Sequence, residues 1–271
     1  GAGIGAYSSA MFHLMTHAFF KALLFLAAGI VIHALVAEQD MRRMGGLRKR
    51  LPRTYAVTLI GALALAGIPP LSGFWSKDAI LSSALAAGLY GQILWVVGLV
   101  GAFLTALYTF RMIFIVFWGE PSPYAREHFH RPKGTEPNVW MAWTVGVLAL
   151  LSVVGGWFQV AGLWETITEF IEPVAETGVE PSGLEDLVTS VIAVALAVAG
   201  IYLAWAVYVA DKIRVPDYPA LQHVLEKKFY WDEAYDLAFY RPAVWIANGF
   251  YRWVERPLIA GSIQGVTYGA R

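Results

Sequence analysis

The fold follows from the stretch GALALAGIPPLSGFWSKDAILSSAL, residues 61–85, which is mostly apolar and is interrupted in its middle by two prolines. Pro69 and Pro70 have no amide hydrogen to donate to the carbonyls of Leu65 and Ala66, so a helix through this stretch must break there. Unwound backbone at membrane depth is tolerated where it faces protein or a wet cavity, and transporters use it to build ion sites. The stretch therefore predicts a membrane helix that is broken near its centre.

Two charged residues, Lys77 and Asp78, follow directly after this break. The freed carbonyls and the negative end of the first half-helix would both favour a cation there. The alternative is a proline kink that happens to lie beside a local ion pair between these two residues. Because the break and the charges coincide, we interpret Lys77 and Asp78 as an ion site.

The composition of the chain is that of a membrane protein. Its 271 residues are 58% hydrophobic and 15% charged, with a mean hydropathy of +0.54. Soluble domains are about 45–50% apolar and about 25% charged. The formal net charge is zero, which gives no reason to expect nucleic acid as a partner. The chain has no cysteine, so its own residues cannot hold an all-thiolate iron–sulfur cluster or a thioether-attached haem.

Long apolar stretches run over residues 9–36, 55–85, 92–118, 139–163 and 187–210. Each is long enough to cross a bilayer as a helix, which takes ~20 residues. The segments after the first, third and fifth stretches are basic, whereas the segment between the fourth and fifth is purely acidic. By the positive-inside rule, the basic segments are cytoplasmic and the acidic one is outside. The basic residues are Arg42, Arg43, Arg48, Lys49, Arg50, Arg53, Arg126, Arg131, Lys133, Lys212, Arg214, Lys227 and Lys228, and the acidic ones are Glu165, Glu169, Glu172, Glu176, Glu180, Glu185 and Asp186.

The first apolar stretch carries His13, His17 and Lys21 at successive steps of four, so these residues share one helix face and form a polar stripe. Lys21 is close to mid-span, at least ~13 Å from either interface and beyond the reach of a snorkelling lysine. A fixed positive charge is expensive there, and imidazoles titrate near neutrality, so the pattern indicates a proton path. The alternative is a hydrogen-bonded cluster that only holds helices together. Arg111, near the cytoplasmic end of the third stretch, can snorkel, and we predict a structural role for it.

Residues 229–271 mix aromatic and charged side chains too densely for either a membrane span or a free tail. This mixture predicts a long amphipathic helix in the plane of the membrane interface. We expect it to be bent or broken near Pro242 and Pro257.

Three stretches resemble the antiporter-like subunits of respiratory complex I. They are FHLMTHAFFKALLFL at residues 12–26, QDMRRMGGL at residues 39–47 and GIPPLSGFWSKD at residues 67–78. A fourth, YWDEAYD at residues 230–236, resembles the start of the lateral helix of the largest of these subunits.

The resemblance implies an all-α membrane protein with about five transmembrane helices, one of them broken mid-membrane, and a long interfacial lateral helix. It implies proton translocation coupled to NADH oxidation and quinone reduction. His13, His17 and Lys21 match the family's central relay, and Lys77 with Asp78 matches its broken-helix exit site. NADH, FMN, iron–sulfur clusters and quinone would bind to partner subunits, and no cofactor to this chain.

The same resemblance implies a multi-pass protein of the bacterial inner membrane that contacts membrane lipid and its sister antiporter-like subunits. Residues 1–210 would be the transmembrane region, from the end of a second inverted repeat onward. Residues 211–228 would be a cytoplasmic connector, and residues 229–271 a lateral helix truncated before a final span.

Three other functions remain open at this point. The first is a subunit of a multisubunit cation/proton antiporter, which shares both motifs but which the lateral-helix segment argues against. The second is a subunit of a related membrane-bound hydrogenase or dehydrogenase complex. The third is a membrane clamp without an ion path, which would leave two mid-membrane lysines without a purpose.

Overall fold

The protein forms two compact units, Gly1–Arg214 and Val215–Arg271. The structure, a computed structural model, describes residues 1–129, 139–160, 164–175, 178–214, 216 and 218–270. Arg131, Lys133 and Glu176, which contribute to the predicted topology, and the predicted end of the fourth span at residue 163 lie outside the described residues.

The first unit is helical, apart from a pair of two-residue antiparallel strands, β1 (Gln159–Val160) and β2 (Trp164–Glu165). Its helices are α1 (Tyr7–Ala34), α2 (Pro52–Ala66), α3 (Ser72–Ala86), α4 (Gly88–Phe117), α5 (Pro123–Glu127), α6 (Val139–Val154), α7 (Thr166–Ile171) and α8 (Gly183–Tyr208). Short 3₁₀ turns occupy Ala2–Ile4, Met41–Arg43, Leu47–Lys49 and Gly155–Phe158.

Among the described residues, 4 helices are long and apolar enough to cross a membrane, namely Tyr7–Ala34, Gly88–Phe117, Val139–Phe158 and Gly183–Tyr208. The shorter apolar helix α2 and its continuation α3 make up the remaining predicted span. The structure therefore confirms the predicted all-α membrane fold with about five spans, one of them broken.

The break occupies residues 67–71, where the two prolines were expected to place it. Helix α2 ends at Gly67, which has φ +81° and donates its amide to Ala64 O at 3.0 Å. A left-handed glycine of this kind is a common way to end a helix. The second half-helix then lies directly against the first, since a Cβ on Gly73 would meet Ala64 O at 1.9 Å. Only glycine permits this close approach of the two backbones.

Helices α4 and α8 form another close contact. A Cβ on Gly200 of α8 would lie 2.7 Å from Phe103 O and 3.1 Å from the Ala106 side chain. Small residues at such positions let membrane helices approach and gain van der Waals contact. The largest hydrophobic core lies beside this pair, toward the end of α4, and its most buried members include Leu35, Leu47, Leu51, Ile113 and Phe117.

The loops gather at two opposite ends of the first unit. The basic loops pack on each other, because Gly46 donates its amide to Trp118 O at 2.9 Å and Ser122 donates its amide to Met44 O at 3.1 Å. At the other end, the amide of Gly178 in the acidic loop bonds Gly5 O at 3.3 Å. This separation of basic and acidic loops is the arrangement that alternating crossings require.

The second unit is one long run of helical backbone preceded by a short helix, α9 (Pro219–Glu226). The backbone turns through positive φ angles at Lys228, Phe229 and Tyr230. The long run then consists of α10 (Trp231–Tyr235), α11 (Arg241–Phe250) and α12 (Gly261–Gly269), joined by π-helical segments at Asp236–Tyr240 and Tyr251–Ala260. It begins at Trp231, two residues after the predicted start of the lateral helix.

The π-helical segments show how the chain accommodates Pro242 and Pro257, near which we expected a bend or a break. Proline removes an amide and crowds the preceding turn of an α-helix. The wider π turn leaves room for the ring, so the backbone stays helical through both prolines. The aromatic side chains of this unit remain exposed, as with Trp245 at 78% and Trp253 at 74%.

Candidate functional site

The polar stripe of α1 lies in the first half of the helix and reaches its middle at Lys21. The rings of His13 and His17 have their centroids 5.7 Å apart, and both rings are partly buried. Lys21 is one turn further along, with its amine 5.8 Å from the centroid of the Phe25 ring. No hydrogen bond or ion pair joins Lys21 to another residue within the described part of the chain.

A pair of buried hydroxyl groups connects this stripe to the broken helix. His13 Nδ1 lies 3.0 Å from Ser76 Oγ, and Thr16 Oγ1 donates to Ser76 Oγ at 2.7 Å. Ser76 and Thr16 are both 0% exposed. Ser76 Oγ can also donate to Ser72 O, 3.2 Å away. Because a hydroxyl carries one proton, Ser76 donates either to Ser72 O or, when His13 Nδ1 carries no proton, to that nitrogen.

Neither Ser76 nor Thr16 is among the site residues predicted from the sequence. Their positions in the sequence could have indicated a role in the site, because Ser76 immediately precedes Lys77 and Thr16 immediately precedes His17. Small hydroxyl residues next to charged residues of a membrane helix are candidates for hydrogen bonds between helices.

The amine of Lys77 occupies the helix break. Lys77 Nζ donates to Leu65 O at 3.0 Å and to Ala66 O at 3.3 Å. These are the two carbonyls that lose their amide partners to Pro69 and Pro70. The position that a Cβ on Gly67 would take is only 3.6 Å from the same amine. The break thus provides both the acceptors for this lysine and the space that it fills.

Asp78 and the amine of Lys77 have different neighbours. No ion pair joins the two among the described residues, so the alternative of a local ion pair is not observed. Asp78 is 7% exposed, and its Oδ2 atom is buried without a hydrogen-bond partner in the described structure. The residue borders a cavity of about 500 Å³ between α3, α8 and the acidic loop.

Arg111 serves to connect two helices near the basic end. Its Nε donates to the Tyr208 hydroxyl at 2.9 Å, and the guanidinium carbon lies 5.5 Å from the centroid of that ring. This contact joins α4 to α8 and is separate from the stripe. The described residues also contain no group of three or more His, Cys, Asp or Glu side chains that could hold a metal ion.

Comparison with known proteins gives consistent matches along the chain. Residues 1–105, which contain the stripe and the broken helix, match the transmembrane family described as NADH:quinone oxidoreductase/Mrp antiporter. The chain is similar to NADH-quinone oxidoreductase subunit L of Mycobacterium tuberculosis, at 38% identity over 272 residues, or 98% of this chain and 42% of the relative.

Two further relatives extend the comparison. Subunit L of Pseudomonas aeruginosa is 44% identical over 211 residues, covering 78% of this chain and 32% of the relative. NAD(P)H-quinone oxidoreductase chain 5 of a Picosynechococcus species is 38% identical over 271 residues, covering 88% of this chain and 40% of the relative. The chain spans less than half the length of the curated relatives that it matches. Residues 1–105 thus match the NADH:quinone oxidoreductase/Mrp antiporter transmembrane family, and the chain is similar along nearly its whole length to a part of subunit L.

Proposed function

We propose that this chain is part of a proton-translocating subunit of a bacterial NADH:quinone oxidoreductase. In this proposal, His13, His17 and Lys21 form the central relay, and Lys77 with Asp78 passes protons onward toward the acidic loop. The similarity to subunit L supports the assignment to this complex. The arrangement of the stripe and the break supports the role of the residues.

One observation carries the proposal, namely the hydrogen bond across the fold from His13 to Ser76, one residue before Lys77. It links the stripe of α1 to the helix whose lysine fills the break. A chain of hydrogen-bonding groups through the middle of a membrane bundle is the arrangement that proton relays use. A membrane clamp without an ion path would need only the hydrogen bonds between helices. It would have no use for Lys21, which makes no hydrogen bond in the described part of the chain.

The amines of the two lysines have different surroundings. The ammonium of Lys77 is stabilised by two carbonyl acceptors at the break, since hydrogen bonds from a charged donor are strong in a low-dielectric site. Lys21 has an aromatic ring as its neighbour and no such acceptors. Lys21 therefore has no hydrogen-bond acceptor in the described part of the chain that would fix its amine in one position.

In this proposal, the cofactors that carry electrons belong to partner subunits. NADH, FMN, iron–sulfur clusters and quinone bind to partner subunits, and the chain takes part through its protons alone. Its partners are the sister antiporter-like subunits and membrane lipid, and its location is the bacterial inner membrane. The exposed aromatic side chains along residues 231–269 provide a surface for such contacts.

A second candidate is a subunit of an Mrp-type cation/proton antiporter, because the matched family includes both kinds of protein. The residues beyond 105 favour the first candidate. The similarity to subunit L of Mycobacterium tuberculosis extends over 98% of this chain, so it includes the segment after α8.

The proposal is tested by comparing Lys77→Ala with Arg111→Ala in the full-length subunit within its complex. Both changes remove a cation from the bundle, but Arg111 bonds a tyrosine near the basic end whereas Lys77 fills the break. We expect Lys77→Ala to lower the number of protons pumped per electron much more than Arg111→Ala does. Equal and mild effects in assembled complexes would contradict the proposal.

A further inference from the structure

A cleft lies between α1 and α6, toward the basic end of the first unit, where α1 ends and α6 begins. It has a volume of about 220 Å³ and is lined by Leu26, Ile30, Trp140, Met141, Thr144 and Val145. Ile30 and Val145 are buried, at 4% and 3% exposed, whereas Trp140 is 80% exposed. Both helices are long enough to cross a membrane. The cleft therefore connects the interior of the helix bundle with its outer surface.

The lining of this cleft suits a hydrocarbon chain. Its residues are aliphatic or aromatic, apart from Met141 and Thr144. The hydroxyl of Thr144 donates to Trp140 O of its own helix at 3.0 Å, so it is not offered to a ligand. Cavities with apolar walls stay free of water and bind apolar molecules, and methionine adapts its shape to such molecules. In a membrane span, the apolar group at hand is the acyl chain of a lipid.

A histidine lies just beyond the cleft, at the end of α1. His33 follows Ile30 by three residues and Leu26 by seven, so it shares their face of the helix and lies ~4.5 Å beyond Ile30 along the axis. His33 is exposed and makes no hydrogen bond or ion pair in the described part of the chain. An imidazole carries at least one N–H group in either protonation state. It can therefore donate to a phosphate oxygen at this position.

Arg53 is placed at the same end by the first turn of α2. It shares a helix face with Val57 and Ile60, which follow it by four and seven residues. These two side chains pack against the hydrophobic cluster that contains Ile30 and Val145, the buried residues of the cleft. Arg53 therefore lies at the basic end of the junction between α1, α2 and α6.

The basic loops beside this junction carry more positive charge than their own carboxyl groups neutralise. Arg42 and Arg43 pair with carboxylates at 3.0 and 2.6 Å. Arg48 and Lys49 are exposed and make no ion pair among the described residues. A cluster of Lys and Arg directly beside the end of a membrane helix is typical of sites for anionic phospholipids. The charge at this end of the cleft is thus complementary to a phosphate.

We propose that an anionic phospholipid of the bilayer binds here, with one acyl chain in the cleft and its phosphate beside His33 and Arg53. A lipid fits better than a protein helix, because the apolar lining lies below a cation and an N–H donor at one end, in the order of a chain and its headgroup. The inference gives a place to the membrane lipid named among the proposed partners. Otherwise it needs only that the first unit crosses a membrane, and it does not rest on proton translocation.

The test maps where lipid chains touch the protein. The complex with its full-length subunit is reconstituted in phosphatidylcholine vesicles that contain a trace of phosphatidylglycerol with a photoreactive diazirine in its acyl chain. A parallel sample contains phosphatidylcholine with the same diazirine chain. After irradiation, mass spectrometry locates the adducts, and Leu26 and Met141 report on the cleft. The ratio of phosphatidylglycerol to phosphatidylcholine adducts there is compared with the mean ratio over the other labelled peptides of the subunit.

We expect the ratio at the cleft to be about fivefold above that mean, which corresponds to the ~1 kcal/mol that one basic residue contributes near an anionic lipid. Arg53→Gln should bring the ratio down to the mean. Arg42→Gln is the matched control, because it removes the same charge from the same loops at a residue that Asp40 pairs with. His33→Ala should lower labelling of the cleft by both lipids, because both carry the phosphate.

A second pair of variants tests the cleft itself. Thr144→Phe places a ring in the cleft and should remove the adducts of both lipids at Leu26 and Met141. Leu150→Phe adds a similar ring to the same helix at a position that is 61% exposed and outside the lining. It should leave those adducts unchanged.

The proposal is wrong if Leu26 and Met141 react with neither lipid while other peptides do, since protein would then cover the cleft. It is also wrong if the cleft shows no preference for phosphatidylglycerol, or if Thr144→Phe leaves its adducts in place. This assay does not measure pumping, so the lipid site can fail while Lys77 retains its role. Conversely, selective labelling in a complex whose Lys77→Ala variant pumps normally would support the lipid site and contradict the proposed function.

Discussion

His13 Nδ1 lies 3.0 Å from Ser76 Oγ, and this contact joins two helices that are 63 residues apart in the sequence. The same hydroxyl accepts a hydrogen bond from Thr16 at 2.7 Å. Both hydroxyl groups are fully buried. Ser76 therefore joins the stripe of α1 to the broken helix through a hydrogen bond with His13.

Ser76→Ala should lower the number of protons pumped per electron while the complex still assembles. The change leaves His13 Nδ1 and the Thr16 hydroxyl without this partner, at a cost of ~1–3 kcal/mol. Ser152→Ala is the matched control, because Ser152 is also 0% exposed but, among the described residues, its hydroxyl bonds Leu148 O of its own helix alone. A similar loss of pumping in both variants would show that any missing buried hydroxyl has this effect.

Lys21 can be tested with two substitutions that separate charge from proton exchange. Lys21→Met removes the charge, and Lys21→Arg keeps it but does not release a proton. If Lys21 carries protons, both variants should pump close to background in an assembled complex that still oxidises NADH. Normal pumping in Lys21→Arg would mean that only a fixed positive charge is needed at this position.

Gly67→Ala should disturb the site through Lys77. Gly67 has φ +81°, so an alanine there is strained by ~1–2 kcal/mol, and its Cβ would lie 3.6 Å from the lysine amine. Gly88→Ala carries a similar strain at φ +71° but has nothing within 4 Å of the added carbon. We expect comparable losses of thermal stability in the two variants and a larger loss of pumping in Gly67→Ala. Equal pumping would show that the space beside Lys77 is not critical.

The direction in which the chain crosses the membrane can be checked with single cysteines. Arg48→Cys lies in the basic loops and Glu172→Cys in the acidic loop, and both positions are exposed. An impermeant maleimide should label them from opposite sides, with Arg48→Cys reacting from the cytoplasm. Labelling of both from one side would rule out the alternating topology.

The features that could be predicted from the sequence are those that depend on local spacing. The two prolines predict the break between α2 and α3, and their missing amides identify the carbonyls that Lys77 now bonds. The polar stripe of α1 can be predicted from the period of an α-helix alone. In each case the residues involved are less than about four helical turns apart, so the backbone geometry alone brings them together.

The features that could not be predicted depend on how the helices pack. The contact between His13 and Ser76 requires the relative height and rotation of two helices, which no local pattern specifies. The cavity beside Asp78 likewise has walls from α1, α3, α8 and the acidic loop. The π-helical segments before Pro242 and around Pro257 were missed for a different reason, because proline rules predict that an α-helix is interrupted but not which wider turn replaces it.

The cavity beside Asp78 also affects where the membrane voltage acts. Water and mobile ions in a space of about 500 Å³ conduct far better than the surrounding protein, so the voltage falls little between its floor and the acidic-loop face. Most of the voltage must then fall across the thinner layer between Asp78 and the basic loops. Moving one elementary charge through the full potential takes about 2.3 kcal/mol per 100 mV. In the proposed outward direction of transport, a proton at Asp78 would therefore already have been moved against nearly the whole potential, and its last step into the cavity would be almost independent of the voltage.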